Sequence, residues 1–204
     1  LHAAYRLRGA LDVEALQAAL DRVVARHEAL RTVFVTGADG EGRQRVLAAL
    51  AVPVVVESAV GLEAQGLERR LTQSVEAAFD LGAGPLLRVE VFDLGAGEWV
   101  LLVVMHHIVS DGWSLSVLLG ELSAAYAAAL AGERPRWAGL PVQYADYAEW
   151  QRRELAGARL EAELGYWRAA LAGAPLRLEL PTDRPRPAVQ SDRGAWHTIT
   201  IDAE

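Results

Sequence analysis

Apolar side chains recur along this chain in two rhythms, one of helices and one of strands. Between Val13 and His27 they fall at Val13, Leu16, Leu20 and Val23, the spacing of a helix with one buried face. Asp12 precedes it as a cap, with Glu14 in the first turn and Arg22, Arg26 and His27 in the last, which suits the helix dipole. Leu62 to Ala78 predicts a second helix, with Leu67, Leu71 and Val75 on one face. A longer helix runs from Trp113 to Ala131 and is stopped by Gly132 and Pro135. Pro141 starts another in its first turn, carrying Tyr144, Tyr147 and Trp150, and Leu160 to Leu171 predicts the last.

Strand patterns lie between them. The chain enters partway into a strand at Leu1 to Leu7, and Leu30–Thr36, Gln44–Ala49 and Val52–Glu57 follow. Leu86–Phe92 and Trp99–His106 predict a hairpin, and the nearly all-apolar second strand predicts a central position covered on both faces. Pro181 to Pro187 reads as an extended linker, and Trp196 to Ile201 alternates like one more strand before the chain stops. Strands interspersed with helices predict an α/β layered architecture with one mixed sheet. The abrupt start, without a methionine or a signal-like segment, leads us to expect a piece of a longer polypeptide.

Composition narrows the chemistry. At 204 residues and 52% hydrophobic content, the chain is long and apolar enough to bury a core. A net charge of -7 argues against a nucleic-acid partner, whose phosphates need a basic face. No uninterrupted apolar run approaches the roughly 20 residues of a membrane span. The absence of cysteine removes disulfides, thiolate zinc and a Cys nucleophile. All 20 basic residues are arginines, so a Schiff-base lysine is excluded as well. A cytoplasmic setting fits, although zero cysteines suit secretion equally.

Chemistry concentrates in Met105-His106-His107-Ile108-Val109-Ser110-Asp111-Gly112-Trp113-Ser114. Two histidines end a buried strand, and an aspartate and a glycine follow where a helix begins, which is where α/β folds tend to place their sites. An imidazole there can exchange a proton near neutral pH. Gly112 permits close approach of a substrate, and the helix start offers N–H groups to developing negative charge. The plainer alternatives are a structural histidine and an N-capping Asp111. Neighbours on a strand point to opposite faces, so a metal shared by His106, His107 and Asp111 is disfavoured, and we assign none.

The stretch His106-His107-Ile108-Val109-Ser110-Asp111-Gly112 resembles the HHxxxDG signature of nonribosomal peptide synthetase condensation domains. Arg26-His27-Glu28-Ala29-Leu30-Arg31-Thr32-Val33-Phe34 is similar to that family's RHExLRTxF motif, and Tyr144-Ala145-Asp146-Tyr147-Ala148-Glu149-Trp150-Gln151 to its YxDYAxWQ motif. All three stand in the family's order, and Leu180 to Pro187 resembles the passage into its second lobe. The resemblance implies a chloramphenicol acetyltransferase-like lobe, a mixed β-sheet flanked by helices. Residues 1–180 would form this N-terminal lobe, and 181–204 would be a linker and first strand toward a C-terminal lobe absent from this chain. The family's opening motif is absent too.

The implied activity, found in antibiotic biosynthesis and other secondary metabolism, is acyltransferase-type amide bond formation. A donor acyl or peptidyl thioester and an acceptor aminoacyl thioester would each ride on a carrier protein. The resemblance makes His107 the catalytic residue, acting either as general base or by holding the amine. It makes His106 a supporting residue turned inward, Gly112 part of the channel wall, and Asp111 a structural partner of Arg31. The domain would need no cofactor of its own, because the phosphopantetheine arms belong to the carriers. Its partners would be the two peptidyl carrier domains, an adjacent adenylation domain and the C-terminal lobe, with neither nucleic acid nor membrane. Two other classes stay open: a free-standing CoA-dependent O- or N-acyltransferase, and a noncatalytic carrier-docking scaffold.

Overall fold

The computed structural model describes residues 1–189, 191 and 199–201. In chain order the elements are β1 (His2–Arg8), α1 (Val13–Arg26), a single 3₁₀ turn (Glu28–Arg31), β2 (Thr32–Thr36), β3 (Gly42–Val46), β4 (Val54–Ser58) and α2 (Ala64–Glu76). Then come β5 (Leu87–Gly95), β6 (Glu98–Met105), α3 (Gly112–Leu130), α4 (Tyr144–Glu154) and α5 (Gly157–Ala170). Four strands form one mixed sheet in the order β1-β6-β5-β4, with β4 and β5 parallel and the other pairs antiparallel. The fold is thus the expected mixed α/β lobe. It also has a second, two-stranded sheet of β2 and β3 that the sequence pattern had merged with the first.

Strand β6 is central, as its composition required, and its alternation builds both layers of the core. Leu101, Val103 and Met105 face α1 and α3, joining Leu16, Leu20, Val23, Leu118, Leu122 and Ala125. Val100, Leu102 and Val104 face the other way with Phe92, against Leu67, Leu71 and Val75 of α2 and Phe79 beyond it. Burying each such side chain stabilises the fold by about 1.5–3 kcal/mol. A one-residue slip would exchange the two faces, so packing on both sides fixes the register. The β5–β6 turn is tight: Gly95, Ala96 and Gly97 all have positive φ, which two glycines adopt without steric cost.

Several boundaries differ from the sequence pattern for local reasons. Leu30 and Arg31 belong to the 3₁₀ turn rather than to a strand, because the Leu30 N–H closes back onto the His27 carbonyl. Helix α4 begins at Tyr144, not Pro141, where Asp146 accepts from the Gln143 N–H at 2.8 Å. Strand β6 ends at Met105, one residue before His106. Among the described helices, α3 is the one long and apolar enough by length and composition to cross a membrane. It packs against α1 instead, through Leu118, Leu122 and Ala125, and carries Glu121 mid-helix in an ion pair with Arg26.

The chain divides into two units, Leu1–Leu155 and Ala156–Glu204. Every buried hydrophobic residue described lies in the first. The second holds α5, which has no buried residue, and an exposed stretch without regular secondary structure through Pro181 to Pro187. The division falls inside the stretch 1–180. Of the strand expected over Trp196 to Ile201, Trp196–Thr198 lie outside the described residues, and Ile199–Ile201 have no regular secondary structure.

Candidate active site

The site begins where β6 runs out. The His106 N–H still donates to the Leu86 carbonyl at 2.9 Å, the last rung between the strands. The chain then folds over itself: the His106 carbonyl accepts from the Val109 N–H at 3.2 Å and from the buried Ser110 hydroxyl at 3.0 Å. The ring of His106 is half-buried edge-on against Phe79, with centroids 6.0 Å apart. Its Nδ1 accepts from the Ile108 N–H at 3.0 Å, so the neutral ring carries its proton on Nε2. His106 therefore braces the turn from inside.

His107 is exposed. The different exposure of the two histidines is set by this turn and not by strand alternation, since the strand has already ended. His107 lines a cavity of about 440 Å³ with Ile108 to Asp111 and Ser114 on its own side. The facing wall comes from Ala29 of the 3₁₀ turn, Thr32 and Phe34 of β2, Gln44 of β3 and Tyr144 of α4. Among the described residues none hydrogen-bonds the His107 ring, which leaves both nitrogens open to a substrate.

Asp111 caps α3. Its carboxylate accepts from the Ser114 N–H at 2.8 Å and from the Ser114 hydroxyl at 2.6 Å, while its own N–H donates to that hydroxyl. The Ser114 hydroxyl, and next the Ser114 N–H, hold this carboxyl below its ordinary value of 3.8. Asp111 is consequently an anion through the physiological range. Arg31 is engaged elsewhere: its guanidinium reaches Glu28 at 3.2 Å and the Leu47 carbonyl. Among the described residues, then, the expected Arg31–Asp111 ion pair does not form. Each partner is taken by a group nearer to it in sequence.

Gly112 is the first residue of α3, outside the cavity lining, and a Cβ there would meet nothing within 4 Å. The site thus unites His107 with Asp111, keeps His106 behind them, and leaves Arg31 and Gly112 beside it. Gln44 was not legible as a site residue, Ser114 stood only at the end of the histidine segment, and Phe34 and Tyr144 could be read only as parts of motifs. A second polar assembly ties the supporting elements together. Glu121 of α3 accepts from Arg26 Nε at 3.0 Å and lies 2.5 Å from His27 Nε2, and Gln143 bonds both the Arg26 carbonyl and the Glu28 N–H. Among the described residues no three His, Asp or Glu side chains converge as a metal-ligand set.

Comparisons with known proteins agree on the family. The family model described as Condensation domain matches residues 1–204. The chain is 47% identical over 206 residues to the isonitrile lipopeptide synthase of Mycobacterium tuberculosis, covering 98% of this chain and 8% of that protein. It is 44% identical to the dimodular nonribosomal peptide synthase of Bacillus subtilis, covering 98% of this chain and 9% of that protein. Among solved structures, the X-domain from teicoplanin biosynthesis superposes with a TM-score of 0.83 at 41% identity, over 93% of this chain and 42% of that one. The first condensation domain of the CDA synthetase shares the fold, with a TM-score of 0.74 at 22% identity over 89% of this chain and 47% of that one. The chain therefore spans under a tenth of these curated relatives and under half of the structural ones. By its motifs, its mixed sheet and these matches, the chain belongs to the condensation domain family of nonribosomal peptide synthetases.

Proposed function

We propose that the chain forms the histidine-bearing lobe of a domain that joins two carrier-bound thioesters through an amide bond. Residues 1–180 make up that lobe, and 181–204 lead toward a second lobe. The acceptor's α-amine attacks the donor's thioester carbonyl, a C–N bond forms, the C–S bond breaks, and the donor's thiol leaves with a proton. The phosphopantetheine arms are supplied by the carriers. The observation that carries this reading is His107, exposed in its cavity on a turn braced by His106 and Ser110 and closed by the Asp111 cap.

An α-amine with a pKa of about 8 is roughly one-tenth neutral at pH 7, so holding and orienting it contributes alongside proton removal. His107, lining the cavity with neither ring nitrogen engaged by a described residue, is suited to either task. The setting that goes with this reading is the cytoplasm, within a synthetase that also carries an adenylation domain.

The test is single-turnover reaction of the full-length protein with a loaded donor carrier and a loaded acceptor carrier. A mass increase of the acceptor carrier by the donor acyl group supports condensation. A second reading, a scaffold that docks another protein without turnover, draws on the likeness to the teicoplanin X-domain, which has been solved in complex with OxyB. That reading gains if carriers or another protein bind with no acyl transfer.

A further inference from the structure

Gln143, half-buried, stands just before α4 and directs its side-chain amide to a distant piece of backbone. Its Nε2 donates to the Arg26 carbonyl at 3.0 Å, and its Oε1 accepts from the Glu28 N–H at 3.1 Å. These two groups flank His27, where α1 ends and the 3₁₀ turn starts, and helix ends leave such groups without intrahelical partners. The Gln143 backbone serves α4 instead. Its N–H donates to the Asp146 carboxylate at 2.8 Å, and its carbonyl accepts from the Asp146 N–H at 3.1 Å and the Tyr147 N–H at 3.3 Å. One residue thus joins two segments 115 positions apart. Among the described residues no other hydrogen bond joins the first turn of α4 to residues 26–31. Helix α4 has no buried residue, and the element it contacts most is that 3₁₀ turn.

The two ends of this grip differ. The 3₁₀ turn is the fixed end, because Leu30 is buried in the core. Tyr144, the residue after Gln143, is the carried end, and it lines the same cavity as His107. Little else holds it: its ring is 56% exposed and rests on Tyr147, with centroids 5.9 Å apart. A displacement of ~1 Å among the groups around a reacting centre can slow a reaction about a hundredfold. We propose that Gln143 is a positioning residue for condensation, its amide setting where Tyr144 stands in the wall of the His107 cavity. The inference rests on the condensation reading above. Gln143 itself touches no reacting atom and acts through its neighbour. A tie that only stabilised the fold would change how much protein is active, and not how fast active protein reacts.

Single-turnover condensation by the full-length protein between two loaded carriers separates these roles. Its amplitude reports the active fraction, and its first-order rate constant reports the chemistry. Gln143→Ala is expected to lower the rate constant by about 10- to 100-fold while the amplitude holds. Gln143→Glu keeps an acceptor for the Glu28 N–H but loses the donor to the Arg26 carbonyl, and it is expected to slow the reaction as well. It stands as the test by itself if thermal melting shows Gln143→Ala to be unfolded. In a Tyr144→Ala background either substitution is expected to slow the reaction further by about threefold or less, because the ring it would misplace is gone. A loss of amplitude at an unchanged rate constant, or the same slowing with and without the Tyr144 ring, overturns the positioning role. If wild type itself forms no product, the condensation reading is what fails.

Discussion

His106 and His107 are adjacent in sequence and have different work. His106 gives its backbone to the strand ladder and its Nδ1 to the turn, and its ring rests on Phe79. His106→Ala is therefore expected to cost about 1–2 kcal/mol in denaturant unfolding, the scale of one lost hydrogen bond and an aromatic contact. Asp111 obeys a different rule. Its folded-state carboxyl is lowered, so the stability it contributes is present above the unfolded value and is lost as pH falls through the folded one. Asp111→Ala should lower the melting temperature at neutral pH, and the gap from wild type should close on acidification below the ordinary 3.8. A gap independent of pH would show that the carboxylate is not the stabilising group. A large stranded-charge penalty is not expected, because Arg31 is satisfied without Asp111.

At the scale of elements, the site is held by how α1, α3 and α4 are tied. Glu121 lies mid-α3 with its side chain 17% exposed and serves both Arg26 and His27 at the end of α1. Glu121→Ala is expected to destabilise by about 1–3 kcal/mol in denaturant unfolding, because two partly buried donors lose their acceptor. An unchanged midpoint would show the tie to be dispensable. Most elements were legible from periodicity and punctuation: Asp12 caps α1 as read, with its side chain accepting from the Ala15 N–H at 2.9 Å. The misreadings fall where a local hydrogen bond overrides propensity. Proline at position 141 is a good helix starter, yet Asp146 satisfies the Gln143 N–H and sets the start of α4 three residues later.

For the whole molecule, composition and alternation told that a strand like β6 must be central, and it is. The strand order and the parallel β4–β5 pair were not legible, since pairing between distant segments depends on contacts no local pattern carries. The same limit hid the facing wall of the site. Ala29, Thr32, Phe34 and Gln44 meet His107 only through the fold, across about 60 to 80 residues of chain. The matched structures run to about twice this chain's length. One wall cannot orient two thioesters, so the 204-residue chain alone is expected to be inactive toward loaded carriers. Robust condensation by it alone would show that this lobe suffices.

The most direct measurement compares wild type with His107→Ala in the full-length protein, reading single-turnover peptide formation between two loaded carriers alongside thermal melting and carrier binding. His107 is exposed and its ring makes no hydrogen bond among the described residues. Its removal is therefore expected to leave melting and binding unchanged and to slow condensation by ~10²–10⁴-fold. Equal rates from the two proteins would contradict the assignment of His107 to the chemistry.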